Sequence, residues 1–497
     1  MNDKVVIKRL PTGVPGLDTL LGGGLAEFSF NIIAGTPGAG KTTLAHQLMF
    51  SLATSDRRAI FFTVLGEPAL KMLRYQQQYS FFDNDKLDTA IRFVNLGDEV
   101  MRGDFEHVLQ RIVEEMERFQ PSFVFVDSFR SVAQAATNSG QGGSVLQDFV
   151  QRLGMHLTSW QATTFLIGEY MAVDSEANPI FTVADGIWLL MQSMHRSSMV
   201  RKIQIAKSRG QATVAGLHTF RISEDGLQVF PRTLPALGAT GAADAAAKAK
   251  RPALGTGNAI LDEMMGGGLP AGYSLLVAGP SGAGKSMMAT AFLAEGARVG
   301  EKGLIAAFEK SPGEAHNPRL EQLIADGHVG VVDTRALDLS IDETLHALTE
   351  MISTTGATRV VIDSLSGFEL TLAPTFREDF RESLHRMVAV LTALGATVVM
   401  VSELEDRYSD LRFSPYGAAF LTDAIIVMRY VELEGNLKRM LAVVKVRNSK
   451  HSHALRMYDI TDQGIVIGPP RPEIEALLTG HPRPAAAFQN SGNSESP

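Results

Sequence analysis

Cysteine is absent from the sequence, and this excludes several chemistries at once. Disulfide scaffolds, thiolate zinc sites, iron–sulfur clusters and cysteine nucleophiles all require a thiol. Long apolar runs are absent too: none approaches the roughly 18 residues that a membrane-spanning helix needs, and the first residues contain no apolar signal-peptide core. We therefore expect a soluble cytoplasmic protein with no membrane association.

Basic residues are fewer than acidic residues. The chain has 46 Lys and Arg against 54 Asp and Glu, a net charge of −8. Duplex DNA attracts proteins with an excess of basic side chains, so the composition argues against nucleic acid as a partner. With 45% hydrophobic and 20% charged residues the sequence is otherwise typical of a globular protein.

A long internal repeat organises the 497 residues. A Thr-Gly, Leu-Asp and Gly-Gly-Gly-Leu pattern begins at Thr12 and again at Thr256, 244 residues later. A Gly-rich segment at 35–42 recurs at 279–286 with the same offset. Because two separate patterns share one register, the repeat indicates a duplicated domain rather than a duplicated motif.

Apolar runs alternate with helical patterns in both halves. Near-continuous Val, Ile, Phe and Leu runs are typical of strands buried on both faces, as in a parallel sheet covered by helices. We therefore predict an α/β fold with two tandem domains, each a mostly parallel sheet flanked by helices. The predicted strands are 28–34, 59–65, 123–127, 164–168 and 186–191, then 273–278, 304–308, 360–363, 397–401 and 424–428.

Composition sets the expected domain boundaries. We assign residues 1–232 to the first domain and 254–468 to the second. The Ala-, Gly- and Pro-rich segment 233–253 is predicted to be a linker, and the Pro- and Ser-rich segment 469–497 a disordered tail, because both are poor in large apolar residues.

The Gly-rich segments match the phosphate-binding loop pattern Gly-x-x-x-x-Gly-Lys-Ser/Thr. Glycines allow backbone N–H groups to turn inward around an anion, the following helix adds positive potential, and the lysine reaches the β- and γ-phosphates. We expect ATP as the ligand, with Thr42 and Ser286 binding Mg²⁺ through their hydroxyls. The predicted nucleotide-binding residues are Gly35, Thr36, Pro37, Gly38, Ala39, Gly40, Lys41 and Thr42, and Gly279, Pro280, Ser281, Gly282, Ala283, Gly284, Lys285 and Ser286.

In each half, one aspartate ends an apolar strand about eighty residues after the loop lysine. Asp127 and Asp363 therefore fit the role of a carboxylate that holds the magnesium ion and its water shell. The alternative is an ordinary strand-end carboxylate that caps a turn.

Hydrolysis also needs a carboxylate that orients or deprotonates the attacking water, expected at the end of the strand beside the phosphate loop. Glu309 follows the strand 304–308, and Glu67 is the candidate in the first half. The repeat offset aligns Leu65, not Glu67, with Glu309, so Glu67 would need a differently shaped loop. The alternative for either glutamate is a solvated loop charge.

A Lys-x-Arg pair ends a late apolar strand in each half. Lys207 and Arg209 are matched by Lys445 and Arg447. We predict that each pair, at a hairpin tip far in sequence from its own phosphate loop, reaches the γ-phosphate of a neighbouring subunit; such fingers contribute about 10³- to 10⁵-fold in rate. The pattern is commonplace in itself, and its recurrence carries the prediction.

Taken together, these motifs resemble the KaiC family of duplicated RecA-like ATPases from circadian clocks. The resemblance runs to about residue 468 and rests on the Thr-Gly and Gly-Gly-Gly-Leu opening, both phosphate loops, the Phe-Glu-x-Ser-Pro segment at Glu309, the strand ending in Asp363, and Lys-x-Arg. It implies two RecA-like domains, a double-ring homohexamer with ATP between subunits, slow hydrolysis and, in some members, Ser/Thr autophosphorylation by the second domain.

The sequence departs from clock members of that family at two places. They have adjacent glutamates at the catalytic position, whereas this chain has Glu309 followed by Lys310. Their Ser-Thr phosphoacceptor pair corresponds to Ala419 and Phe420, which have no hydroxyl to phosphorylate. Ser414 and Thr422 are nearby hydroxyls that could substitute.

We therefore expect a KaiC-like signalling ATPase whose nucleotide state controls subunit packing and the binding of an unidentified signalling protein, with Ser/Thr kinase activity in the second domain as an option. Two alternatives stay open. One is a RecA-like recombinase or helicase that needs DNA, and the other is a nucleotide-sensing scaffold without catalysis.

Overall fold

The structure is a computed structural model that divides into two compact units, residues 1–232 and 233–497, and each is described by itself. The described residues are 7–64, 69–101, 105–128, 152–153, 155–156, 160–169, 180–195, 198–232, 251–308, 317–332, 340–372, 374–377, 380–404, 422–433, 435–462, 464–470, 474–475 and 483–484.

The first unit contains eleven described strands. They are β1 (Arg9–Leu10), β2 (Leu25–Ala26), β3 (Phe30–Gly35), β4 (Ala59–Thr63), β5 (Ile91–Asn95), β6 (Phe123–Asp127), β7 (Thr163–Gly168), β8 (Gly186–His195), β9 (Ser198–Ser208), β10 (His218–Ser223) and β11 (Gly226–Phe230). Its described helices are α1 (Leu17–Leu20), α2 (Lys41–Leu52), α3 (Ala69–Gln76), α4 (Gly97–Met101), α5 (Phe105–Phe119) and α6 (Ile180–Val183), with a 3₁₀ turn at Asn84–Lys86.

Nine of these strands form one sheet, in the order β11-β10-β9-β8-β3-β7-β6-β4-β5. The strands from β8 to β5 are parallel, while β9, β10 and β11 extend the sheet by antiparallel pairing. The central strand β3 lies between β7 and β8, and all six of its residues are buried. This burial on both faces explains why its sequence is almost continuously apolar.

The second unit repeats this design. Its strands are β12 (Ala253–Leu254), β13 (Leu269–Pro270), β14 (Ser274–Gly279), β15 (Gly303–Ala307), β16 (Val329–Val332), β17 (Arg359–Asp363), β18 (Thr397–Glu403), β19 (Ala424–Leu433), β20 (Asn436–Val446), β21 (Arg456–Thr461), β22 (Gly464–Pro470), β23 (Ile474–Glu475) and β24 (Arg483–Pro484). Its helices are α7 (Ala259–Met264), α8 (Lys285–Arg298), α9 (Pro318–Ala325), α10 (Ile341–Thr355), α11 (Leu365–Thr371), α12 (Pro374–Arg377) and α13 (Phe380–Ala393).

The second sheet has the order β16-β15-β17-β18-β14-β19-β20-β21-β22. Read from its other end, this is the first order with each strand replaced by its repeat. The prediction of two tandem, mostly parallel α/β domains is confirmed. All ten predicted strands are present. The late apolar strands that end in Lys-x-Arg are also present, as β9 and β20. The sequence patterns missed β5 and β16, at one side of each sheet, and the antiparallel strands β10, β11, β21 and β22 at the other.

Segments at the expected domain boundaries lie mainly outside the described residues. Of the predicted linker 233–253, residues 251–253 are described, and β12 begins at Ala253. Within the predicted tail, β23 pairs with β24 in a two-stranded antiparallel ribbon. Among the described helices, none combines the length and apolarity needed to cross a bilayer.

A buried histidine lies in the core of the first unit. His46, on α2, is fully inaccessible, and its ring lies 4.6 Å from that of Phe61 and 6.1 Å from that of Phe93 between centroids. Burial lowers the pKa of His46 to about 3, and the neighbouring Gln76 side chain opposes the shift. The folded first unit therefore holds this imidazole neutral.

We predict that His46 makes the first unit sensitive to acid. An ordinary pKa near 6.5 in the unfolded chain means that only the unfolded state takes up the proton, so stability falls as pH drops from about 6.5 towards 3. Relative to His46→Leu, the wild-type free energy of unfolding should fall by about 2 kcal/mol between pH 7 and pH 5. Urea titrations at both pH values measure it.

Tryptophan fluorescence isolates this unit, because both tryptophans of the chain, Trp160 and Trp188, belong to it. The control is His107→Leu on the surface of α5, which should keep the wild-type pH dependence. Parallel pH dependences for wild type and His46→Leu would contradict the assignment.

Candidate functional site

The first phosphate loop connects the buried strand β3 to helix α2. Gly38 and Gly40 have φ angles of 73° and 96°, in the left-handed region that favours glycine. Gly40 caps the helix without a side-chain hydrogen bond, so the first N–H groups of α2 remain for a ligand. Nζ of Lys41 donates to the Thr36 carbonyl at 2.9 Å, which places the cation over the loop.

The second loop has the same shape between β14 and α8. Gly282 and Gly284 have φ angles of 75° and 94°, and Nζ of Lys285 donates to the Pro280 carbonyl at 2.8 Å. A Cβ on Gly279 would overlap the Met428 carbonyl oxygen, so only glycine fits the start of this loop. Both loops therefore have the backbone and the cation that a phosphate group requires.

The predicted magnesium ligands are in contact in the first unit and line one cleft in the second. In the first, the Thr42 hydroxyl donates to Oδ2 of Asp127 at 2.7 Å, although β7 separates β6 from β3. In the second, Ser286 and Asp363 line one cleft. One hydroxyl and one carboxylate suit Mg²⁺, which prefers hard oxygen ligands and takes its remaining ones from waters and phosphates. Within the described part of the chain, no group of three or more His, Asp and Glu forms an all-protein cage.

Both predicted catalytic glutamates, Glu67 and Glu309, lie outside the described residues. The strands that lead to them, β4 and β15, are described. Contrary to the expectation, neither lies directly beside the strand that precedes the phosphate loop. Two strands separate β4 from β3, and two separate β15 from β14. At about 4.8 Å between neighbouring strands, the strand that leads to each glutamate lies about 14 Å from the strand before its phosphate loop. The expectation of a directly adjacent strand was wrong, because chain order does not give sheet order.

One of the two strands beside each central strand, β7 or β18, leads to a glutamate that sequence reasoning missed. Glu403 ends β18 and pairs with Gly279 at the start of the second loop. In the first unit Glu169 directly follows β7, whose last residue, Gly168, pairs with Ala34 beside the first loop. The only sequence signal was the recurrence of a glutamate after an apolar strand, and its position depends on the strand order.

The arginines of the Lys-x-Arg pairs are anchored to equivalent aspartates in the two units, and the lysines bond to nearby backbone carbonyls. Arg209 contacts Oδ1 of Asp185 at 3.3 Å, and Oδ2 of Asp185 accepts from the Phe30 amide at 3.0 Å. Lys207 donates to the Phe181 and Thr182 carbonyls at 3.2 Å. Burial, and then Arg209, lower the pKa of Lys207, and Asp185 opposes them.

In the second unit Arg447 contacts Oδ1 of Asp423 at 3.4 Å, and Oδ2 of Asp423 accepts from the Ser274 amide at 3.1 Å. Lys445 donates to the Thr422 carbonyl at 2.6 Å. Burial, followed by Arg447, lowers the pKa of Lys445 against the effect of Asp423.

In each sheet these anchors place the cations at the edge where the central strand begins. The phosphate loop lies at the opposite edge, where that strand ends. Asp185 is joined to Phe30, where β3 begins, whereas the loop follows Gly35, where β3 ends. At about 3.3 Å per residue the two ends of β3 are about 16 Å apart. The predicted hairpin tip is not the one between β8 and β9. Those strands meet at His195 and Ser198, whereas Lys207 pairs with Ile187 near the start of β8. A cation pair therefore lies far from the phosphate loop of its own unit.

A cleft of about 910 Å³ adjoins the second phosphate loop. It extends from Ser286 and Asp363 along α8 to Thr461 and Asp462 at the end of β21. Its volume lies in the range of small-ligand sites. The described lining is Thr256, Gly257, Asn258, Leu261, Ser286, Met287, Met288, Thr290, Ala291, Ile305, Ala307, Asn317, Pro318, Arg319, Leu320, Asp363, Ile460, Thr461, Asp462, Gly464 and Ile465.

The same region of the first unit is packed differently. Gln47 of α2 exchanges two hydrogen bonds with the backbone of Leu227, at 2.7 and 3.2 Å. A Cβ on Gly226 would overlap both Gln47 and Phe81, whereas one on its repeat, Gly464, would meet nothing within 4 Å. The two units therefore offer a ligand different surroundings beside similar phosphate loops.

Of the four positions compared with the family's phosphoacceptor segment, three lie outside the described residues: Ser414, Ala419 and Phe420. The fourth, Thr422, is fully buried, and its backbone carbonyl accepts the hydrogen bond from Lys445. A buried hydroxyl cannot reach a γ-phosphate without a rearrangement of the strand that follows it.

The fold and its duplicated loop define a tandem RecA-like P-loop nucleotide-binding protein. The sequence profile of the family described as "ATPase: KaiC" matches residues 10–234 and again 254–472. This chain belongs to that family, which confirms the resemblance seen in its motifs.

Two relatives illustrate the similarity. The chain is 24% identical to the "Circadian clock oscillator protein KaiC" of Thermostichus vulcanus over 493 residues, which cover 96% of this chain and 92% of that protein. It is 26% identical to the "Circadian clock protein KaiC3" of Synechocystis sp. over 492 residues, 96% and 95% of the two chains. The similarity includes both units.

We predict two independent nucleotide sites, each dependent on its loop lysine. Lys41→Ala and Lys285→Ala should each reduce the stoichiometry of Mg-ATP binding from two per chain to one, because the lysine is the main cation facing the phosphates. Equilibrium dialysis with labelled ATP measures this number. Lys8→Ala, an exposed lysine paired with Glu27, is the control and should keep both sites. Two sites remaining in either loop variant would refute the assignment.

Proposed function

We propose that this KaiC-family chain binds Mg-ATP in both units and hydrolyses it slowly within a homohexameric double ring, where each site is completed by the neighbouring subunit. The observation that carries the proposal is the position of each Lys-x-Arg pair at the sheet edge opposite its own phosphate loop. A ring in which identical subunits pack head to tail joins opposite edges of adjacent copies, so every loop would face a neighbour's cations.

In each proposed site the residues have distinct tasks. The loop N–H groups and Lys41 or Lys285 bind and orient the phosphates. Thr42 with Asp127, and Ser286 with Asp363, would hold Mg²⁺, which supplies charge neutralisation at the phosphate oxygens when bound. Glu67 and Glu309 would orient the attacking water. Lys207 with Arg209, and Lys445 with Arg447, would stabilise the charge that develops on the neighbour's γ-phosphate.

The proposed output is signalling. Because ATP would lie between subunits, hydrolysis changes contacts at the interface, and nucleotide state then controls subunit packing and the binding of a partner protein. The names of the clock-protein relatives support this assignment, and the net charge of −8 disfavours a DNA-dependent activity. We place the protein in the cytoplasm. Autophosphorylation would require a hydroxyl other than the buried Thr422.

Mixing two inactive variants tests whether the sites are shared. We predict that Lys285→Ala and Arg447→Ala, each made in a Lys41→Ala background to silence the first unit, hydrolyse little ATP alone. In random 1:1 mixtures about a quarter of the second-unit interfaces would combine an intact loop with an intact arginine. Steady-state hydrolysis should then recover to about that fraction of the Lys41→Ala rate.

Arg298→Ala replaces an arginine on α8 that pairs with Glu295, and serves as the matched control with undiminished hydrolysis. Native mass spectrometry with ATP verifies mixed assemblies of six subunits. Full activity of Arg447→Ala alone, or mixed rings without recovery, would show that the arginine does not act across an interface.

Glutamate variants test which carboxylate orients the water. We predict that Glu309→Gln slows single-turnover hydrolysis in the second unit by about 10²-fold or more, the usual contribution of a general base, and that Glu67→Gln does the same in the first. Rapid-quench measurements under excess enzyme give this rate. Glu403→Gln and Glu169→Gln are the position-matched comparisons, and a larger loss in those variants would move the role to the strands beside the loops.

A further inference from the structure

A tyrosine on β21 contacts the back of the second phosphate loop. The Tyr458 hydroxyl donates to the Ala283 carbonyl at 2.5 Å, and both residues are buried, with 2% and 1% of their surfaces exposed. Burial raises the pKa of Tyr458, so its hydroxyl keeps its proton and remains a donor at any working pH. A second hydroxyl, that of Tyr430 on β19, donates to the Ser281 carbonyl at 3.3 Å in an exposed position.

The first unit has the same packing without these hydroxyls. A Cβ on Gly40 would overlap Ile222, and one on Gly284 would press against Ile460, so β10 and β21 contact their loops in the same register. Two residues earlier on these strands stand Phe220 and Tyr458. Phe220 is equally buried but has no donor. The position of Tyr430 is taken by Gln192, whose amide lies beside Gly38.

A hydrogen bond to a carbonyl also fixes the N–H of the same peptide unit. The peptide group is planar and trans, so the Gly284 N–H points away from the side on which the Ala283 carbonyl is held. The same holds for the Gly282 N–H and the Ser281 carbonyl. These N–H groups belong to the loop that receives the phosphates, and orienting them before the ligand arrives lowers the free energy cost of binding.

We propose that Tyr458 is a positioning residue that preorganises the second phosphate loop for nucleotide, with Tyr430 as a weaker support, and that the first loop lacks this device. The inference rests on the proposed nucleotide-binding function and adds an asymmetry to it: the second site holds nucleotide more tightly for a reason that lies outside the site itself. Tyr458 contacts the loop backbone at the Ala283 carbonyl and would act through that backbone rather than on the phosphates.

Reciprocal substitutions test this proposal in the full-length chain. Tyr458→Phe in a Lys41→Ala background should raise the Kd of Mg-ADP at the second site about three- to tenfold, the value of one hydrogen bond. Phe220→Tyr in a Lys285→Ala background should lower the Kd at the first site by a similar factor. Tyr430→Phe, which removes a longer and exposed contact, should change the second-site Kd less than twofold. Fluorescent ADP titrations measure each Kd, and thermal unfolding without nucleotide is recorded in parallel.

The outcomes separate the possible failures. Saturable ADP binding with the same Kd in Tyr458→Phe as in its background overturns the inference, and so does a lower melting temperature with an unchanged Kd, because the tyrosine would then only stabilise the fold. If Tyr458→Phe is poorly folded, Phe220→Tyr decides alone: a tighter first site supports the proposal and an unchanged one overturns it. No saturable binding in either lysine background refutes the proposed nucleotide function itself.

Discussion

One buried parallel strand in each unit determines where the phosphate loop and the Lys-x-Arg pair lie. β3 and β14 are central in their sheets and buried along their whole length, so their ends are fixed relative to the core. The phosphate loop leaves one end, and an aspartate anchors the Lys-x-Arg pair to the other. The strand therefore acts as a rigid spacer that holds the loop at one edge of the sheet and the cations at the opposite one.

The two units share this frame but differ in the chemistry around it. In the first, His46, Gln47 and Phe81 fill the space beside the loop helix, whereas in the second Thr290 and Ala291 line an open cleft. Such differences leave the strand order unchanged, as the equivalent orders of the two sheets show. Duplication thus leaves the phosphate cradle intact while the surroundings of each site become free to specialise.

The sequence predicted what depends on local composition and failed where the result depends on strand order. Strands buried on both faces are almost continuously apolar, so β6, β14 and β17 were found within a residue or two. The edge strand β5 has only part of its surface buried and reads Ile-Arg-Phe-Val-Asn, a pattern without clear periodicity. The positions of Glu169 and Glu403 beside the loops, and of Tyr458 behind one, follow from long-range pairing that no local pattern encodes.

The anchoring of the cations bears on how a shared site could communicate. In each unit the arginine is tied to an aspartate whose own backbone pairs with the first residue of the central strand. In the proposed assembly, a neighbour's phosphate that attracted this arginine would compete with the aspartate, and the aspartate is joined directly to the strand that carries the subunit's own phosphate loop. In the proposed ring, occupancy at one interface would be connected through a single buried strand to the loop at the next, which is the physical requirement for nucleotide state to spread around a ring.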